Sequence, residues 1–259
     1  TFGWNTPLII SGIVAGILSS ATFLAIEARS AHPMLPLSFF RSGIFAGSTC
    51  VSMASAFVFY GLLFVTCLYY QQVRGYSPLS TGLAMMPMTA MVAAGSIASS
   101  RIVRLSGTRW SMCAAFGFYA LGALGMLAST HSSSYWLAFC PLLAIGLASG
   151  FVSPAATAPA MGTVDKARAG VAAAVLNAAR QTGAALGVGL FGTLIATLHP
   201  FEVGMRASLW IAAAVSVTAA MIWKIARRQP SAAVIGTMPS PTPASMSRVT
   251  ASKLRSRTR

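Results

Sequence analysis

Seven apolar stretches, each about the length of one bilayer crossing, follow one another through this chain and leave room for little else. They occupy residues 7–26, 44–70, 81–100, 111–129, 135–160, 171–198 and 207–225. About 20 apolar residues rising 1.5 Å each cover a hydrocarbon core of about 30 Å, so every stretch is long enough to span as a helix. A membrane β-barrel would need segments of about ten residues alternating apolar and polar, and none of these stretches alternates in that way. Composition agrees. Of 259 residues, 56% are hydrophobic and 8% charged, against about 25% charged in soluble domains. The expected fold class is an all-α membrane protein with seven transmembrane helices.

A net charge of +15 would suit a nucleic-acid binder. Here, however, the basic residues sit in short gaps between apolar runs and in a C-terminal tail, which is the distribution of a membrane protein. The expected partner is the lipid bilayer and not nucleic acid. Because Lys and Arg are retained on the cytoplasmic side, their positions predict sidedness. The first, third and fifth connections hold Arg29 and Arg41; Arg101, Arg104 and Arg109; and Lys166 and Arg168. The tail adds eight from Lys224 to Arg259, whereas the opposite side has only Arg74 and Arg206, a ratio of fifteen to two. This places the C-terminus in the cytoplasm, the N-terminal end outside, and the chain in the cell (inner) membrane as a multi-pass protein. The chain starts at Thr1 and enters its first apolar stretch without a basic lead-in, unlike a signal peptide. An odd number of crossings with an outward start is the pattern of a fragment whose earlier spans lie elsewhere. Residues 229–259 contain Pro230, Pro239, Pro241 and Pro243 among Ser, Thr and basic residues, and are expected to be a disordered cytoplasmic tail. Its Arg248, Lys253, Arg255, Arg257 and Arg259 either bind anionic lipid heads or are simply solvated.

Catalysis and metal binding find no material. The four cysteines, Cys50, Cys67, Cys113 and Cys140, lie in apolar runs without metal-ligand spacing, and His32, His131 and His199 are scattered over loops and helix ends. The acids are Glu27, Asp165 and Glu202. No paired carboxylates and no nucleophile with its base can be assembled from these. No enzyme activity, metal or cofactor is expected.

Polarity inside the membrane concentrates in the sixth stretch, where Asn177 and Gln181 lie four residues apart on one helical face beside Arg180. An Arg near a bilayer centre costs about 2.5 to 3.5 kcal/mol on insertion scales, so such a residue usually faces a cavity or partner. Arg180 either does so or snorkels to the cytoplasmic interface. Gly183 and Gly187 form a small-x-x-x-small ridge for close helix packing. In the fifth stretch Gly146 and Gly150 recur at the same spacing before Pro154, predicting a close contact and then a kink, and Phe151 beside them is a substrate-cavity candidate together with Asn177, Arg180 and Gln181. Pro87 predicts a second kink within Met85-Met86-Pro87-Met88, where Met86 is a candidate for soft contacts to apolar ligands or for ordinary packing. In the second stretch Tyr69 and Tyr70 fit an interfacial aromatic belt, while the deeper Tyr60 needs a hydrogen-bond partner and is a candidate substrate contact.

These residues, taken in order, resemble the 14-helix drug:proton antiporter branch of the major facilitator superfamily over most of residues 1 to 228. The resemblance rests on Gly3-Trp4 with Pro7; on Glu27-Ala-Arg29, His32-Pro33-Met34-Leu35-Pro36-Leu37 and Phe40-Arg41; and on Tyr70-Gln71-Gln72-Val73-Arg74-Gly75-Tyr76-Ser77-Pro78 running to Gly82 and Pro87. The block from Arg168 to Gly192 completes it. The resemblance implies that residues 1–43 are an inserted helix with its cytoplasmic connection and that residues 44–228 are the C-terminal six-helix bundle. That bundle would pair with a missing N-terminal half, with a substrate cavity between them. It further implies proton-coupled efflux of small lipophilic or cationic molecules by alternating access. Transport of another small molecule, such as a sugar, siderophore or metabolite, and a non-transporting truncated subunit are the alternatives. In the loop Val103-Arg104-Leu105-Ser106-Gly107-Thr108-Arg109 the acid usual in the family is missing, leaving Arg101, Arg104 and Arg109 to bind lipid, contact the partner half or set topology. A titrating group for proton coupling would have to lie outside this chain.

Overall fold

The computed structural model of the protein describes residues 7–29, 37–129 and 135–226. Expectations for Gly3, Trp4, His32, His131 and the basic tail from residue 229 lie outside the described residues. The described part consists of helices and short connections: α1 (Pro7–Arg29), α2 (Gly43–Leu68), α3 (Pro78–Ser129), α4 (Tyr135–Met161), α5 (Ala169–Thr197) and α6 (Phe201–Ala226). At 1.5 Å per residue the 52 residues of α3 would reach about 78 Å, enough for two crossings. Its two arms meet at Gly107, whose φ of 72° and ψ of 150° are not helical. Glycine reaches positive φ without the clash a Cβ would suffer.

The third expected connection is therefore not a loop of ten residues. Helix runs up to Gly107 from one side and away from it on the other, so Arg101, Arg104 and Arg109 stand on helical turns flanking a one-residue corner. Five helices, α1 to α4 and α6, are long and apolar enough to cross a membrane. The sixth, α5, has 29 residues and thus the length, but Asn177, Arg180 and Gln181 dilute its apolar character. Counting α3 twice gives seven lengths of spanning size.

Small residues set how these helices meet, because lipid provides no hydrophobic drive between them. On α4, a Cβ added at Gly146 or Gly150 would run into the Met88 or Val92 carbonyl of the first arm of α3. On α5, a Cβ at Gly183 or Gly187 would meet the Met53 or Phe57 carbonyl of α2 in the same way. Each pair is spaced by four and lies over a carbonyl pair spaced by four. The six lengths from α2 onward thus form two sets of three, α2 with the two arms of α3, and α4 with α5 and α6. The first of each set packs on the second of the other. This exchange is the arrangement of two three-helix repeats of opposite direction. Helical dihedrals persist through Pro87 in α3 and through Pro141, Pro154 and Pro159 in α4.

The second arm of α3 and α6 close the bundle with larger side chains. Met112, Phe116, Tyr119, Met126 and Trp223 are fully buried, and the Trp223 indole N–H donates to the Thr108 carbonyl at 3.4 Å. Large apolar side chains also face outward, among them Ile97, Leu121 and Trp210. An exterior this apolar fits lipid and would be untenable over such an area in water.

At the far end of α2 the chain widens into a π-turn, Tyr69–Val73, that carries Tyr69 and Tyr70. Both are buried, so they do not form the exposed aromatic belt that their position in the sequence suggests. The Tyr70 ring stacks on Tyr76 at 5.3 Å, and the Tyr135 hydroxyl donates to the Ala84 carbonyl at 2.8 Å, fastening α4 to α3 there.

Candidate functional site

Four helices, α2, the first arm of α3, α4 and α5, surround a cavity of about 310 Å³. Small residues make it possible: where glycines and alanines bring backbones together, hydroxyl side chains replace bulky ones along the adjoining faces. Ser52 and Ser55 come from α2, Ser96 from α3, and Ser149 and Ser153 from α4. Phe59, Tyr60 and Arg180 complete the functional part of the wall. The acids Glu27, Asp165 and Glu202 do not line it.

Arg180 lies eleven residues into α5, three from the middle of the 29-residue helix and so about 4.5 Å from its midpoint along the axis. The residue is only partly exposed there. Two neutral acceptors hold it. Nη1 donates across the cavity to Ser153 Oγ at 3.3 Å, and Nη2 donates to Asn177 Oδ1, one turn earlier, also at 3.3 Å. Both contacts are longer than the roughly 2.7 to 2.9 Å usual for a charge-assisted bond to a carboxylate.

Behind the wall, the Tyr119 hydroxyl and Ser55 Oγ lie 2.9 Å apart in a buried hydrogen bond between α3 and α2. Ser52 has a buried hydroxyl oxygen with no hydrogen-bond partner. The site thus combines one strong cationic donor, several hydroxyls and two aromatic rings within an otherwise apolar wall.

Of the residues singled out in the sequence, Tyr60 and Arg180 meet at this cavity, and Asn177 reaches it through Arg180. Gln181 is exposed beside them on α5 without lining the cavity. Met86 is 62% exposed on the outer face of α3, while its neighbours Met85 and Met88 are buried. Phe151 is buried and borders a separate small apolar hollow with Phe118 and Leu147. Pro87 and Pro154 lie outside the cavity wall, as do Arg101, Arg104 and Arg109, whereas Gly150 borders it. The cavity-lining serines, and Tyr119 behind them, belong to the candidate site and are residues that sequence reasoning misses. A signal was present: Ser48, Ser52 and Ser55 are spaced by four and three on α2, and Ser149 and Ser153 by four on α4, so each set lies on one helical face.

Comparison with known proteins points the same way. The family described as the Major Facilitator Superfamily matches residues 1–188. A methylenomycin A resistance protein of Streptomyces coelicolor is 27% identical over 206 residues, covering 80% of this chain and 43% of the relative. The multidrug resistance protein Stp of Mycobacterium tuberculosis is 32% identical over 206 residues, covering 76% of this chain and 38% of its own length. The puromycin resistance protein pur8 of Streptomyces alboniger is 32% identical over 196 residues, covering 74% and 39% respectively. The chain spans less than half the length of each of these relatives.

Proposed function

Because the chain belongs to the Major Facilitator Superfamily, we propose that it forms the C-terminal part of a drug-efflux transporter that works by alternating access. Its relatives are named for resistance to methylenomycin A, to puromycin or to multiple drugs, and the cavity walled by α2 to α5 is the observation that carries the reading. In this proposal residues 44–228 are a six-helix bundle and residues 1–43 an inserted helix with its connection. The α1 side chains, exposed along most of the helix, leave that helix available to neighbours outside this chain. A second bundle would close the cavity from the other side, and rocking of the two would expose it to each face of the membrane in turn. The C-terminus would lie in the cytoplasm of a cell whose inner membrane holds the protein.

Coupling to protons is proposed on the family resemblance. The titrating carboxylate would belong to a helix beyond these residues, since Glu27, Asp165 and Glu202 all stand in the first or last turns of helices or between them. The test is transport by the natural gene product that carries this chain, in inverted membrane vesicles with an acid interior. Chloramphenicol or ethidium should accumulate above vesicles lacking the protein, and a protonophore should abolish the gain. Accumulation of neither of these nor of an anionic drug such as benzylpenicillin would refute drug efflux; accumulation indifferent to the protonophore would refute proton coupling.

A further inference from the structure

We propose that the cavity takes substrates through an anionic or strongly hydrogen-bond-accepting group, a carboxylate above all, which docks on Arg180. This rests on the efflux reading and narrows it. The family resemblance implies lipophilic or cationic cargo, but the charge that the cavity presents is positive.

Three observations converge. First, Arg180 is partly buried at the cavity wall, and a cation drawn out of water without a counter-charge is costly. Second, its partners are two neutral groups, Ser153 Oγ on the cavity wall and the exposed Asn177 Oδ1 beside it, each at 3.3 Å, and among the described residues no carboxylate lines the wall. Five N–H donors on a planar fork are matched by two long bonds, which leaves donor capacity for a bidentate acceptor. Third, the hydroxyls around it are donors as well as acceptors, and the wall residue Ser52 has a buried hydroxyl that lacks a partner. A carboxylate entering here would accept from the fork of Arg180 and from serine hydroxyls, while Tyr60 and Phe59 supply ring faces for the apolar remainder of the molecule. A cationic group would meet Arg180 as a like charge in a medium of low polarity, where repulsion is weakly screened.

The experiment uses three radiolabelled probes in inverted vesicles carrying the natural gene product: benzylpenicillin as the carboxylate, chloramphenicol as the neutral compound and ethidium as the cation. Benzylpenicillin should be accumulated. Arg180→Ala should lower its accumulation at least tenfold while changing that of chloramphenicol less than twofold, and Arg180→Lys, which keeps the charge and loses the fork, should fall between. Membrane levels of each variant are measured alongside. If Arg180→Ala fails to insert, Arg180→Gln serves instead: it should lower the accumulation of benzylpenicillin several-fold more than that of chloramphenicol, and an equal fall in both would overturn the assignment. Transport of chloramphenicol or ethidium without benzylpenicillin would overturn the assignment and leave efflux standing. So would an equal loss of all three compounds in Arg180→Ala, which would give Arg180 a role in the transport cycle common to every cargo and not in docking a carboxylate. Transport of none of the three would remove the efflux reading itself and this assignment with it.

Discussion

At the scale of single residues, buried polar groups matter more than their number suggests, because hydrocarbon offers no water to replace a lost partner. The Tyr119 hydroxyl, bonded to Ser55 Oγ at 2.9 Å, ties the second arm of α3 to α2 directly behind the cavity. Tyr119→Phe removes the hydroxyl and keeps the ring. Ser55 can then turn to a backbone carbonyl of its own helix, so the expected cost is about 1 kcal/mol. In the detergent-solubilised protein this should appear as a fall of about 2 to 4 °C in the unfolding midpoint. An unchanged midpoint would show that the bond contributes nothing net. Arg180 was legible in the sequence because an arginine stands out in an apolar helix, whereas the serines around it were not. A hydroxyl inside a helix ordinarily bonds its own preceding turn, as Ser208 and Ser216 do with Gly204 and Ala212 at 2.9 and 2.7 Å, so serine alone does not announce a cavity.

At the scale of elements, helix contact is set by where the glycines fall and not by which side of a helix is the more apolar, since both the outside and the inside of the bundle are apolar. Gly150→Leu should separate α4 from α3, because its side chain would have to occupy the place of the Val92 backbone. Loss of most of the folded protein, read as a monodisperse peak in detergent chromatography, is the expected result. Gly189→Ala on α5 is the matched control, with nothing within 4 Å of the added Cβ. It should be neutral or stabilising by up to about 1 kcal/mol, the helix-propensity difference between the two residues. Equal behaviour of the two variants would refute the packing account. Element positions were readable to within a few residues because apolar length is a strong signal. The α3 corner was not, because three arginines within nine residues look like a loop, whereas Gly107 alone turns the chain. The π-turn at Tyr69–Val73 and the burial of its two tyrosines left no pattern in the sequence.

At the scale of the whole molecule, the transport reading depends on consecutive helices crossing the membrane in opposite directions, since only then do α2 to α5 bring their middles to one depth around Arg180. The basic residues predict the direction of each crossing, and the glycines set which helices pack together. Membrane topology is therefore the most direct test. In a variant whose four native cysteines are replaced by alanine, single cysteines are placed at Gly75, Ser106, Asp165 and His199 and treated in intact cells with a membrane-impermeant maleimide. Cysteines at 75 and 199 should be labelled, and those at 106 and 165 only after the cells are opened. Labelling of 75 and 106 from the same side of intact cells would contradict the alternation on which the cavity depends.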